Sequence, residues 1–152
     1  MVYNVYQGDD LIAEKVEGKE YTVSGLTPNT EYSFSVSEVI GEEESEKATV
    51  TVTTLPIKVT GVTLAPKTSN AESGIAGERQ VTATVAPANA TNKNVTYSIA
   101  PQTTGLTISG SGLIKWTADV PAGEYTTTVK TVDGNKTDTH KLTLTEPAPP
   151  EE

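Results

Sequence analysis

From Gly25 to Val36 the chain reads Gly-Leu-Thr-Pro-Asn-Thr-Glu-Tyr-Ser-Phe-Ser-Val, a turn cluster running into a strand whose Tyr32, Phe34 and Val36 share one face. Alternation with period two places Glu31, Ser33, Ser35 and Ser37 toward water and the aromatic face against a core. Pro28 and Asn29 supply the turn chemistry ahead of it. Threonine makes up about a sixth of the residues and leucine is sparse, a balance that suits pleated, half-exposed strands better than helices. The expected class is all-β.

The 152 residues allow one or two small domains, and the absence of cysteine excludes both a disulfide framework and a thiolate metal site. No apolar run approaches the roughly 18 residues a membrane helix needs, and Met1 to Asn4 lacks the regions of a signal peptide. A soluble chain without an export address is expected. Charge is uneven: residues 1 to 56 hold 11 Asp/Glu against 3 Lys, a balance of −8, and residues 57 to 152 hold 9 against 8 Lys/Arg, a balance of −1. An acidic surface repels phosphate, so nucleic acid and anionic membrane are not expected partners; the charge serves solubility or steers a basic partner.

Strands are expected at Val2 to Gln7, Leu11 to Val16, Glu20 to Ser24, Tyr32 to Ile40 and Ala48 to Thr54. Gly8-Asp9-Asp10 makes the first hairpin turn, and Gly41 to Glu46 reads as a charged, exposed hairpin loop. After Leu55-Pro56 a new alternating pattern starts at Ile57 to Val62. It continues at Gln80 to Ala86, Asn94 to Ile99, Leu106 to Ser109, Leu113 to Trp116, Glu124 to Val132 and Thr137 to Thr145. Asp133-Gly134-Asn135 between the last two is a strong hairpin signal, because a tight primed turn needs positive φ. Two units, residues 1–56 and 57–146, are expected, followed by a proline-rich, extended tail at 147–152.

The stretch Tyr3-Asn4-Val5-Tyr6, Tyr21 to Tyr32 and Ala48 to Thr54 resembles the later strands of a fibronectin type III domain, in which a tyrosine like Tyr32 returns its hydroxyl to the preceding loop. Val59 to Pro66 and Val81 to Ser98 resemble the bacterial immunoglobulin-like group 2 domains of phage virion proteins and bacterial surface proteins. Thr104 to Ser109 and Pro121 to Tyr125 are similar to the Putative-Ig, cadherin-like repeats of secreted bacterial proteins. The resemblances imply two tandem Ig-like/fibronectin-like β-sandwich modules, the first truncated. A seven-strand sandwich takes about 100 residues, so the first two strands of the fibronectin-like module are expected to be missing ahead of Met1. A fold of roughly 60 residues buries only about 60% of its unfolded surface. The chain is therefore a fragment, or its deficit is supplied by another chain, or its strands re-pair into a smaller fold.

Chemistry is poorly represented. The single histidine, His140, has no serine or carboxylate motif beside it and reads as a solvated strand residue. Gly110-Ser111-Gly112 lacks the strand-turn-helix context of a nucleophile elbow, and the acids of Gly41 to Glu46 lack the spacing of a calcium loop. No catalytic residue, cofactor or metal is expected. Trp116 shares a face with Ile114 opposite Lys115, so it fills a core or, facing outward, stacks on a sugar or a partner. Val2, Tyr3, Val5 and Tyr6 are the candidate residues for docking to another chain.

The resemblance implies a non-enzymatic bacteriophage virion protein: a head decoration, fibre or tail-projecting module that docks on the particle and displays its Ig-like domain for weak contact with host-surface glycans. Other virion proteins or sister chains are the implied partners. The alternative is a spacer or adhesion segment of a secreted bacterial surface protein or polysaccharide-degrading enzyme.

Overall fold

The computed structural model describes residues 1–148, all of them in strands, turns and irregular segments. Of the expected tail, residues 149–152 lie outside the described residues. The chain divides into two units, Met1–Ile57 and a second from Lys58 onward.

The first unit is one antiparallel sheet. Its strands are β1 (Val2–Gln7), β2 (Asp10–Glu17), β3 (Glu31–Ile40), β4 (Glu43–Glu44) and β5 (Ala48–Thr53). They lie in the order β2-β1-β3, with β4 and β5 both paired to β3. The β1–β2 hairpin turns on Gly8, whose φ of 60° a side chain tolerates poorly. The expected strand at Glu20–Ser24 does not form: the segment is extended and joins no ladder among the described residues. Tyr32 behaves as its position implies: its hydroxyl accepts the Thr27 N–H at 2.9 Å.

The second unit contains β6 (Gly61–Ala65), β7 (Thr68–Glu72), β8 (Gly77–Gln80), β9 (Thr82–Ala86), β10 (Val95–Ala100), β11 (Leu106–Ile108), β12 (Leu113–Trp116), β13 (Gly123–Thr131) and β14 (Thr137–Thr145). A four-stranded sheet β10-β13-β14-β7 is joined by a three-stranded sheet β11-β12-β8 and the pair β6-β9. The alternating side chains of these sheets meet in one core that includes Leu64, Val81, Ile114, Trp116, Val129 and Leu142. Three details depart from the sequence reading. The first strand of the unit starts at Gly61 and not at Ile57, the run Gln80 to Ala86 breaks at Val81 into β8 and β9, and the polar run β7 is a strand. β7 pairs in parallel with β14, from Lys141↔Thr68 to Thr145↔Glu72. Its alternation is carried by Ser69 and Ala71, too weakly apolar to register as a pattern.

Two tertiary ties hold the unit's ends. Tyr125 is buried and donates its hydroxyl hydrogen to the Pro121 carbonyl at 2.9 Å, a second tyrosine corner. The β13–β14 hairpin turns through Gly134 and Asn135 at φ 76° and 49°, as their residue types demand. Its Asp133 carboxylate accepts the Val59 N–H at 2.9 Å.

Asp138 joins β14 to the strand across from it. Its carboxylate accepts the Leu64 N–H at 2.6 Å, the Thr139 N–H at 2.9 Å and the Lys67 ammonium. The Lys67 hydrogen bond first, and the Leu64 N–H second, lower its pKa from 3.8 to about 2. A carboxylate with a depressed folded-state pKa stabilises the fold above its unfolded value, and that stabilisation disappears as pH falls through the folded value. The expected result is a second unit whose denaturant midpoint, followed by the fluorescence of the single Trp116, drops steeply between about pH 4 and pH 2. Asp138→Asn should lower the midpoint at pH 7 and flatten that drop. An unchanged pH profile in the variant would exclude Asp138 as its source.

Candidate functional site

The register of the first unit's sheet sorts its side chains onto two faces. Val5 stands opposite Val36 and Gln7 opposite Phe34 on β3, while Phe34 stands opposite Val50 and Tyr32 opposite Val52 on β5. Tyr3 faces Val16 on β2. One face thus carries Tyr3, Val5, Val16, Tyr32, Phe34, Val36, Val50 and Val52, with Gln7 and Glu38 beside Phe34 and Tyr3. The opposite face carries Asn4, Tyr6, Ser35 and Ser37.

The polar face is closed by its own chain. Tyr6 donates to the Glu44 carboxylate at 2.5 Å, and the Ser37 hydroxyl donates to the same oxygen. Lys47 sits over the Tyr6 ring, 3.4 Å from its centroid. The hydrogen bonds from Ser37, then Tyr6, hold the Glu44 carboxyl below the usual carboxylate range, and the bond to Glu44 raises the Tyr6 phenol. The proton therefore stays on Tyr6. Gly41–Glu46 is the exposed hairpin expected, with Glu43–Glu44 forming a short strand paired to β3; the latch through Glu44 is hidden in the sequence because Glu44 looks like its neighbours.

The apolar face is open. Val36 and Val52 are each 43% exposed and Val50 is 56% exposed. Over its β1–β2 side lies a groove of about 530 Å³ floored by Tyr3, Val5, Val16, Phe34 and Val36 and walled by Tyr21 and Val23. The wall is the extended Glu20–Ser24 segment, tied down where the Tyr21 hydroxyl donates to the Ile12 carbonyl at 3.3 Å. Tyr32 and Phe34 stack at 6.1 Å between centroids. In the first unit the buried apolar residues are Val5 and Tyr6; the other members of the described buried apolar set belong to the second unit.

Of the four candidate docking residues, Val2 and Tyr3 are half-buried and Val5 and Tyr6 buried. Tyr3 and Val5 reach the groove; Tyr6 lies on the latched face and Val2 shares its side of the strand. Since β1 is paired on both edges, by β2 and β3, nothing can add to it as a strand. Sequence reading passed over Val50 and Val52, although their alternation in Ala48–Thr53 marks them as facing Tyr32 and Phe34.

Trp116 is 6% exposed, and its indole N–H donates to the Ile75 carbonyl at 3.0 Å. A ring so placed is core, and it has no free face for a sugar. His140 is also not the solvated residue expected: it is fully buried, with Nδ1 2.7 Å from the Pro66 carbonyl and Nε2 3.0 Å from the Ser69 hydroxyl. The carbonyl can only accept, so Nδ1 carries a proton and, in the neutral ring, Ser69 donates to Nε2. Among the described residues no group of three or more His, Cys, Asp or Glu is placed to hold a metal ion.

Comparison with known proteins agrees with this architecture. Residues 2–51 match the family described as Fibronectin type III domain, and residues 59–146 match the family described as Putative Ig domain. A relative, the "Ig-like virion protein" of Serratia phage KSP90, is 44% identical over 106 residues, which span 70% of this chain and 37% of the relative's length. Among solved structures, the N-terminal eight Ig domains of Down Syndrome Cell Adhesion Molecule isoform 1.30.30 align over 95% of this chain and 22% of that one, with 16% identity and a TM-score of 0.50. Domains 1-6 of the surface layer protein SbsC align over 97% of this chain and 20% of theirs, with 18% identity and a TM-score of 0.47. At those identities the first likeness concerns the fold alone, and the second is too distant to carry an argument. Residues 59–146 are more than half of the chain, and their sheets close on one core: with a fibronectin type III segment ahead of it, the chain belongs to the Putative Ig domain family.

Proposed function

We propose that the chain is a non-enzymatic structural accessory protein of a bacteriophage particle, docked through its first unit and displaying its second. The observation that carries the reading is the 44% identity to a phage virion protein over 106 residues. That span is longer than the second unit, so it includes residues of both. The two units divide the work in a way that fits: one is closed around its own core, the other presents an open apolar face. Catalysis finds no support in His140, because its ring is fully buried and bonded to Pro66 and Ser69.

The test is the composition of phage particles purified from the source of this chain by density gradient. Peptides from both units should band with the particles in stoichiometric amounts, and antibody against the second unit should label intact particles. A chain found in the lysate but absent from banded particles would sink the reading.

A further inference from the structure

In the second unit, residues 59–73 run beside residues 133–145 in the same direction. The Val59 N–H is held by the Asp133 carboxylate, the Leu64 N–H by Asp138 and the Ser73 hydroxyl by the Thr145 carbonyl, and the separation along the chain at these three points is 74, 74 and 72 residues. The backbone ladder within this seam spans Thr68–Glu72 on β7, paired to Lys141–Thr145 on β14. Upstream of the ladder the seam is held by two side chains of β14. Asp138 takes the Leu64 N–H and the Lys67 ammonium, and the buried His140 ring bonds the Pro66 carbonyl and the Ser69 hydroxyl.

We propose that the second unit is a tension-bearing module and that Asp138 and His140 lock its seam. The chain enters the unit beside the turn that precedes β14 and leaves it from the far end of that strand, about 30 Å away for its nine residues. Tension between Lys58 and Glu146 therefore pulls residues 59–73 one way along β14 and β14 itself the other. Ladder bonds run from strand to strand and not along them. A pull along the strands thus loads the whole seam at once, whereas a pull across them opens one pair after another. The two locks stand ahead of the ladder, where the pull from Lys58 arrives first, and the one at Asp138 is charge-assisted.

This goes beyond the proposed function, and its test does not depend on whether the chain bands with phage particles. The chain has no cysteine, so paired substitutions give defined handles for single-molecule pulling of the full chain. Lys58→Cys with Glu146→Cys loads the seam end to end. Ala122→Cys with Glu146→Cys, beside the Gly123↔Leu144 pair, pulls across the sheet instead. All three handle positions are exposed. At one loading rate the end-to-end rupture force should be at least about twice the force across the sheet. Ser69→Ala and Asp138→Asn should each speed end-to-end forced unfolding about tenfold at a given force, and change unfolding across the sheet by less than about twofold. Native Trp116 emission in both variants would show that the core persists. Three results overturn the proposal: equal rupture forces in the two directions, end-to-end unfolding indifferent to both substitutions, or substitutions that speed unfolding equally in both directions, as general stabilisers would.

Discussion

Replacing His140 with leucine is expected to lower the stability of the second unit by about 3 kcal/mol, a fall in Tm of about 15 °C for a unit of this size. The substitution keeps much of the volume, so the loss is not chiefly a cavity. It comes from the loss of two hydrogen bonds that the buried ring makes to part-buried partners: the Pro66 carbonyl, which takes the Nδ1 proton at 2.7 Å, and the Ser69 hydroxyl, 3.0 Å from Nε2. Each such hydrogen bond contributes about 0.5–1.5 kcal/mol. Across the β13–β14 ladder His140 stands opposite Thr127, whose own buried hydroxyl finds no partner among the described residues. Because Ser69 belongs to β7, hydrogen exchange along Thr68–Glu72 should accelerate before global unfolding does. A variant whose Tm stays within a few degrees would show that the ring is not the tie between β14 and β7.

Gly77→Ala should cost a similar amount, about 3 kcal/mol, at the upper end of what overpacking by one methyl group usually costs. The methyl would lie 2.4 Å from Cζ2 and 2.8 Å from Cε2 of Trp116. The indole cannot easily step aside, since its N–H is held by the Ile75 carbonyl two residues before Gly77 and Trp116 pairs directly with Gly77 across β8 and β12. Backbone and ring are therefore both fixed, and the clash is relieved by separating β8 from β12. The single tryptophan reports this directly: its emission should shift to longer wavelength and its quenching by acrylamide should rise. Native emission and an unchanged denaturant midpoint would mean that the strands tolerate a side chain there.

How much of this was legible beforehand follows from the range of each interaction. Strands with strong alternation, such as Leu113–Trp116 and Thr137–Thr145, were readable because the pleat alone imposes period two on any strand with one buried face. β7 was not, because a Ser and an Ala supply its inward side and its partner lies about seventy residues away in β14. Glu20–Ser24 shows the reverse case. Its alternating Tyr21 and Val23 read as a strand, yet a strand exists only with a neighbour to pair with. Of the candidate site, the grouping of Tyr32, Phe34 and Val36 on one face was visible in the pattern, but the pattern set Ser35 and Ser37 toward water, and the chain buries them while leaving Val36 exposed. The latch that assigns Tyr6 to the other face was invisible, because it depends on one glutamate in an acidic run folding back across thirty-eight residues.

Residue order alone determined the all-β class and the two kinds of module, since pleat period and turn chemistry are local properties. Only the tertiary structure decided that His140 and Trp116 are interior, that Glu44 closes one face of the first sheet, and that the other face lies open at Val36, Val50 and Val52. Those outcomes depend on which distant segments meet, and burial is a property of the meeting, not of the residue.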